Sequence, residues 1–512
     1  MNIQQYLLKS FKKYNDNNAL FTYNKYYTYN QLAELSCKIA DTILYIKYIK
    51  QPVIIMGSKS FYTHAAICGT IIAGSYYIPL NETFPLERNM NIIKLSNAKI
   101  LLLDYTDFAH YDDILNNIHN YNIICPEEHY EYLSSKFTNH NFYTPKDYNN
   151  KLLDAEKDDA VYMLFTSGST GIPKGIKISN LNISSYIQAF IKRNSITNQD
   201  KLMQMNDLTF DLSIHSIFLS FICGACLYIP DSNNKINPNK FIISHEITHI
   251  LMVPSTLAIM KKLRLLKSNS FQSMKYIAFC GEALPFNNAV LMAEAAPNAK
   301  LENIYGPTEA TIACTYFEFN KNTKELTEYT GSMPIGKAYD GMEVFLIDEN
   351  LNIINTGIGQ IVLSGRQLAK GYVNNKAQTK EKFIKINNKD CYLTGDLGRW
   401  VNGELVFLGR NDAQVQIKGY RVELYEIENA ISKIENIVSN AVIPTPVNSI
   451  TYENLTAFIT VKDDNIDTYQ IKSILSQTLP DYMVPNKYII LDNMPLNSNG
   501  KIDRNQLKNM IK

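Results

Sequence analysis

The stretch AVYMLFTSGSTGIPKGIKIS, residues 160–179, reads as a strand, a loop and a second strand. The apolar run Ala160 to Phe165 leads into Thr166, Ser167, Gly168, Ser169, Thr170 and Gly171, followed by Ile172-Pro173-Lys174-Gly175. Small hydroxyl residues and glycines after a strand let backbone N–H groups converge on an anion, and Lys174 adds a positive charge. The spacing is not that of a Walker loop, because Lys174 follows Gly171 by three and is itself followed by Gly175. The preceding strand, the single Pro-Lys pair and the resumed apolar strand all oppose a flexible linker. A phosphate-binding loop is the expectation.

Outward from this loop, short apolar runs recur: PVIIMG (52–57), KILLLD (99–104), NIICP (122–126), CLYIP (226–230), HILMVP (249–254) and MKYIAFCG (274–281). Amphipathic stretches of helical length lie between them, such as Leu32 to Tyr45 and Leu181 to Lys192. This alternation predicts an α/β fold with mainly parallel sheet. The tract AAICGTIIAGSYYIPL (65–80) is shorter than the ~20 residues of a bilayer span and reads as a buried helix running into a strand. From about Gly331 closely spaced strands with glycine turns predict a smaller β-rich subdomain. After Arg410 the character changes again: Tyr420 to Ile434 reads as an amphipathic helix, followed by strand–helix–strand signals around 438–490. The expected division is a large body, 1–410, and a small mobile C-terminal α+β domain, 411–512.

Bulk composition narrows the function. With 46% hydrophobic and 19% charged residues the chain has the makeup of a globular protein, and its 512 residues exceed one ordinary core. A formal net charge of +1 offers no footprint for nucleic acid or an anionic membrane. The N-terminus, MNIQQYLLKSFKK, lacks the order of a signal peptide. Eight scattered cysteines fit a reducing cytosol, so a cytoplasmic protein without membrane insertion is expected.

Further motifs stand in a fixed order: AGSYYIPLNETFP (73–85), NDLTFDLS (206–213), NIYGPTEA (303–310), YLTGDLGRW (392–400), GRNDAQVQIKGYRVELYEIE (409–428) and PLNSNGKIDR (495–504). Together with TSGSTGIPKG they resemble the adenylate-forming superfamily, which includes acyl-CoA synthetases, luciferases and the adenylation domains of nonribosomal peptide synthetases. The resemblance covers nearly the whole chain and implies ATP and Mg²⁺ as cofactors. It assigns the nucleotide to 166–171 with Lys174, to Tyr305 as the adenine-stacking aromatic beside Gly306, to Thr308 on the phosphate side, and to Asp396 and Arg410 at the ribose. Glu309 resembles the Mg²⁺ ligand, an oxygen donor of the kind that ion prefers. Lys501 resembles the lysine bridging substrate carboxylate and α-phosphate. Asp412 matches the hinge about which the C-terminal domain rotates between adenylation and thiol transfer. In the transfer state Lys418-Gly419 would face the active site.

Asp211, in Phe210-Asp211-Leu212-Ser213, separates the subclasses. Amino-acid-activating members place an aspartate here for the substrate's α-ammonium, and a buried ammonium needs a counter-charge. A helix N-cap is the other reading of the same aspartate. The remaining pocket positions implied by the resemblance are Leu212, His215, Met252, Ala278, Cys280, Ile304, Ile312 and Ala313. Bulk at Met252, Ile304 and Ile312 suggests a small pocket. FCGEALP (279–285), with Cys280, looks like D-alanine:D-alanyl carrier protein ligase, in which the cysteine crowds one face of the pocket. QIKGYRVELYEIE is closer to peptide-synthetase domains. His215 is either a contact for a polar substrate or a hydrogen-bonded wall residue.

The expected activity is ATP-dependent activation of a small amino acid, D-alanine or another, and its transfer to the phosphopantetheine thiol of a separate carrier protein, since no carrier serine turn follows Lys501. The alternatives are a free-standing adenylation enzyme for another L-amino acid, an acyl-CoA synthetase, and a catalytically dead nucleotide sensor. Cys223/Cys226 have CxxC spacing but sit in an apolar run, and His245/His249 have no third ligand nearby, so neither pair is expected to hold a metal.

Overall fold

The fold is described from a computed structural model, covering residues 1–57, 59–104, 110–167, 173–328, 330–412, 414–447, 449, 451–462, 467–497 and 502–511. Among these residues the strands form sheets of nine, eight, six, three and two strands. The eight-stranded sheet runs Tyr372–Val373, Lys174–Ser179, Ala160–Thr166, Tyr76–Leu80, Pro52–Met56, Ile100–Leu103, Asn122–Ile124, Asn141–Tyr143. It is parallel from Ala160–Thr166 onward and antiparallel at the edge that carries the phosphate-loop hairpin. The nine-stranded sheet has a parallel centre, which includes His249–Met252, Tyr276–Phe279 and Lys300–Tyr305, and antiparallel edges.

Both sheets share one core. The helices Phe61–Ile72 and Leu212–Cys223 are apolar nearly all round and bury almost every side chain, as a helix must when sheets cover it from two sides. The 65–80 tract is a buried helix followed by the strand Tyr76–Leu80, as its composition predicts. The β-rich region after Gly331 is the six-stranded sheet, with antiparallel pairing throughout. Its strand Glu404–Arg410 ends just before the chain enters a smaller C-terminal domain with its own core around Ile427, Ile431, Ala457 and Leu475.

One expectation is corrected here. The helix expected over Tyr420 to Ile434 spans only Leu424–Ser432. Tyr420–Glu423 is instead a strand paired antiparallel with Gln414–Ile417. The turn at Lys418 and Gly419, both with positive φ, folds the chain back, so cross-strand pairing outcompetes the helical pattern. No helix among the described residues is long and apolar enough to cross a membrane. Cys226 is buried in the core, and His249 bonds Thr248 Oγ1 at 2.8 Å.

Candidate active site

The outgoing strand of the phosphate-loop hairpin begins at Lys174, opposite Thr166. Gly168, Ser169, Thr170 and Gly171 lie outside the described residues, as does Lys501. Lys174 is buried, 3.5 Å from Glu423 of the C-terminal domain. Burial pulls its ammonium below the ordinary lysine value, with Glu423 working in the opposite direction. Thr166 and Ser167 border a cavity of about 650 Å³.

Glu309 sits in a single turn, Thr308–Ala310, after the strand Lys300–Tyr305. Its Oε1 accepts from the Tyr372 hydroxyl at 2.7 Å and its Oε2 from Arg421 Nη1 at 2.6 Å. Burial pushes the carboxyl up, but Arg421 and Tyr372 outweigh it and hold Glu309 below the usual range. The turn is tightly constrained. A Cβ on Gly306 would lie 2.6 Å from Ala313 Cα, so only glycine fits this close approach. Thr311 and Ile312 adopt φ of 59° and 70°, costly for β-branched residues. The buried Gln367 holds them there: its Nε2 donates to the Ala313 carbonyl at 2.7 Å, and its backbone carbonyl accepts from Thr311 Oγ1 at 2.6 Å.

Register alone creates the third element. In the antiparallel pair Lys389–Val401 and Glu404–Arg410, Asp396 stands directly opposite Arg410. Arg410 Nη1 and the Tyr305 hydroxyl each donate to the Asp396 carboxylate. Burial raises the Asp396 carboxyl, with Arg410 opposing. Arg410 also grips Asp412 through two bonds of 2.8 Å. Tyr305, Gly306, Asp396, Arg410 and Phe407 line a second cavity of about 530 Å³, which brings two aromatic rings and the Asp396–Arg410 pair together.

Asp211 stands at the N-cap position of Leu212–Cys223, yet its side chain makes no capping bond. Its carboxyl borders the 650 Å³ cavity and is hydrogen-bonded by the Thr308 side chain. Burial pushes it up to about 6 against that bond, and Glu309 adds to the rise. Leu212, Cys280, Gly306 and Thr308 border the same cavity, and Ile304 borders the second. His215, Met252, Ala278, Ile312 and Ala313 are buried and line neither. His215 Nδ1 pairs with the Tyr186 hydroxyl at 2.6 Å, and burial lowers its pKa to about 3, which makes it a neutral core residue. Burial raises the Cys280 thiol, so it remains protonated.

The residues missed in the sequence belong mostly to the inserted hairpin, Gln414–Ile417 with Tyr420–Glu423. Arg421 reaches Glu309, Glu423 reaches Lys174, and Ser167 Oγ donates to the Arg421 carbonyl at 2.9 Å. A buried ion pair, Arg88 to Glu426 at 2.9 Å, ties the adjoining helix to the large body. Lys418 and Gly419 border the cavity that holds Asp211. Arg421 lies inside a motif visible in the sequence, whereas Tyr372 and Gln367 carry no local signal.

Comparison with known proteins fits this geometry. The AMP-binding enzyme family matches residues 7–373, and the AMP-binding enzyme C-terminal domain matches 426–501. The D-alanine–D-alanyl carrier protein ligase of Staphylococcus haemolyticus (strain JCSC1435) is 30% identical over 94% of this chain and 93% of its own length. Polyketide synthase PksN of Bacillus subtilis (strain 168) is 30% identical over 94% of this chain, which spans only 9% of that protein. Among solved structures, the Vibrio cholerae adenylation domain AlmE, in complex with glycyl-adenosine-5'-phosphate, superposes with a TM-score of 0.91 at 29% identity, covering 100% of this chain and 98% of that one. With both family matches spanning most of the chain, it belongs to the AMP-binding enzymes, the AMP-forming, adenylate-forming ligases.

Proposed function

We propose that the protein activates a small amino acid with ATP as the aminoacyl-adenylate and passes it to the phosphopantetheine thiol of a separate carrier protein in the cytosol. The observation that carries this reading is Asp211: it borders the cavity, makes no capping bond, and forms no ion pair with lysine or arginine among the described residues, Arg421 acting on it only at longer range. Such a group is costly in a buried pocket unless a ligand cation meets it. An α-ammonium supplies that cation; a fatty acid does not. D-alanine is the first candidate, supported by the ligase relative and by Cys280 in the wall, and glycine the second, supported by the ligand held by AlmE.

In the first half-reaction an oxygen of the substrate carboxylate attacks the α-phosphorus, and the bond to pyrophosphate breaks. Asp211 holds the ammonium, Tyr305 and Asp396 with Arg410 hold the adenosine, and Lys174 and Lys501 face the phosphates. Mg²⁺ would spread the charge that develops on them, with Glu309 as its protein ligand. Glu309 is a hard oxygen donor of the kind that ion prefers, and its two oxygens, held here by Tyr372 and Arg421, would have to be released to bind it. The body 1–410 and lid 411–512 turn about Asp412, bringing Lys501 in for adenylation and the 414–423 hairpin in for transfer. The contacts of Arg421 and Glu423 with the large body support reading the docked hairpin as the transfer arrangement.

Amino-acid-dependent ATP–pyrophosphate exchange tests the reading, with D-Ala, L-Ala, Gly, L-Ser, L-Pro and a fatty acid. Exchange led by D-Ala or Gly supports it. Exchange with the fatty acid alone would overturn the role of Asp211.

A further inference from the structure

Glu282 is a half-buried acid that the adenylation chemistry leaves without a task, and it borders both cavities. It follows Gly281 just beyond the strand Tyr276–Phe279. Its Oε2 accepts from the Ser255 backbone N–H at 2.7 Å, in the first turn of the helix Pro254–Lys262. Its Oε1 accepts from the backbone N–H of Gly419, at the tip of the inserted hairpin. One carboxylate therefore staples a helix of the large body to a turn of the C-terminal domain.

The turn is held from a second direction. Gly419 has a φ of +83°, and a Cβ there would lie 2.5 Å from Val253 Cγ1, so its backbone rests directly on the large body. A Cβ on Gly281 would lie 3.7 Å from the Gly419 carbonyl oxygen. The two backbones thus meet at the edge of the cavity that Asp211 and Cys280 also line. Arg421 and Glu423 engage groups on the phosphate side, whereas Glu282 engages the tip itself.

We propose that Glu282 is a positioning residue for thiol transfer: by fixing the Lys418–Gly419 turn at the cavity edge it sets the path along which the thiol reaches the acyl carbon. The role rests on the two-step reading above. In that step the C–S bond forms, the bond from the acyl carbon to the phosphate oxygen breaks, AMP leaves with the electron pair, and the thiol proton passes to water. Both Glu282 oxygens are engaged by backbone N–H groups, so it acts through Gly419 rather than on the thiol.

The test separates the half-reactions in the full-length enzyme. ATP–pyrophosphate exchange is measured with D-alanine and with glycine, and single-turnover transfer from preformed adenylate is measured with D-pantetheine as the thiol. Glu282→Ala is expected to lower kcat/KM for transfer about tenfold or more, the loss expected when a backbone N–H is left without its acceptor, with exchange within about twofold. Glu282→Gln keeps one acceptor oxygen but turns an NH₂ toward the other N–H, so it should fall between wild type and Ala. A folding defect would instead lower both half-reactions together and shift the melting temperature. Equal loss in both half-reactions, or full retention of transfer, overturns the positioning role. Wild type that exchanges with no amino acid overturns the parent reading, and this role with it.

Discussion

Arg421 donates to Glu309 at 2.6 Å across 112 residues of sequence, so the hairpin delivers a cation to the carboxylate proposed to face Mg²⁺. Two residues on, Glu423 delivers an anion to Lys174, which is proposed to face phosphate. Each partner on the hairpin carries the charge sign of the group it would replace. A docked hairpin and a bound magnesium–triphosphate therefore compete for the same two side chains.

The competition is measurable. Removing one member of a buried ion pair costs about 3–5 kcal/mol, because the other is left uncompensated. Arg421→Ala should shift the proposed lid away from the docked arrangement, and trypsin should then cleave after Lys418 faster than in wild type. Equal cleavage rates would mean that other contacts hold the hairpin.

Asp211 gives a pH signature. Its carboxyl lies at about 6, while an amino acid's ammonium stays protonated well above that value. Affinity for the amino acid should therefore fall as pH drops below about 6, and Asp211→Asn should remove that limb from the kcat/KM profile. Asp211→Ala should raise KM about a hundredfold, from an ammonium buried without its partner. Stability follows the reverse sign. A carboxyl whose folded pKa is raised binds more protons when native than when unfolded, so stability falls as pH rises from about 4 to about 6. At neutral pH Asp211→Asn should consequently be more resistant to urea than wild type.

Lys501 and Glu309 separate binding from chemistry. Lys501→Ala should abolish pyrophosphate exchange while equilibrium dialysis still detects ATP binding. Near-normal exchange would remove its bridging role. Glu309→Gln should raise the Mg²⁺ concentration for half-maximal exchange about tenfold, since few protein oxygens hold the ion.

His215 should behave as structure. With its pKa lowered to about 3 it does not titrate near neutrality, and it borders neither cavity. His215→Leu strips the buried Tyr186 hydroxyl of a partner and should cost about 1–3 kcal/mol in urea unfolding. The ranking of amino acids in exchange should not change.

Much of this architecture was legible because it is local. The alternation of apolar runs and helical stretches specifies the parallel sheets, and the runs at 52–57, 249–254 and 274–281 each contain the strand observed. The hydrophobic tract at 65–80 resolves into helix and strand because Gly74 and Ser75 interrupt it. The pocket was less legible. Ile312 and Ala313 lie on a turn that Gln367 pulls behind Glu309, and nothing near them in sequence reveals that pull. The hairpin escaped for a related reason. Val422, Leu424, Ile427 and Ile431 have apolar spacing that suits a helix, and only the turn at Gly419 divides that pattern into a strand and a shorter helix.

Tyr372 has a wider consequence. Its backbone pairs with Ile176 in the strand that leaves the phosphate loop, and its hydroxyl holds Glu309. One residue thus pins the loop's outgoing strand through its backbone and the turn that carries Glu309 through its side chain, and neither part can drift without dragging the other.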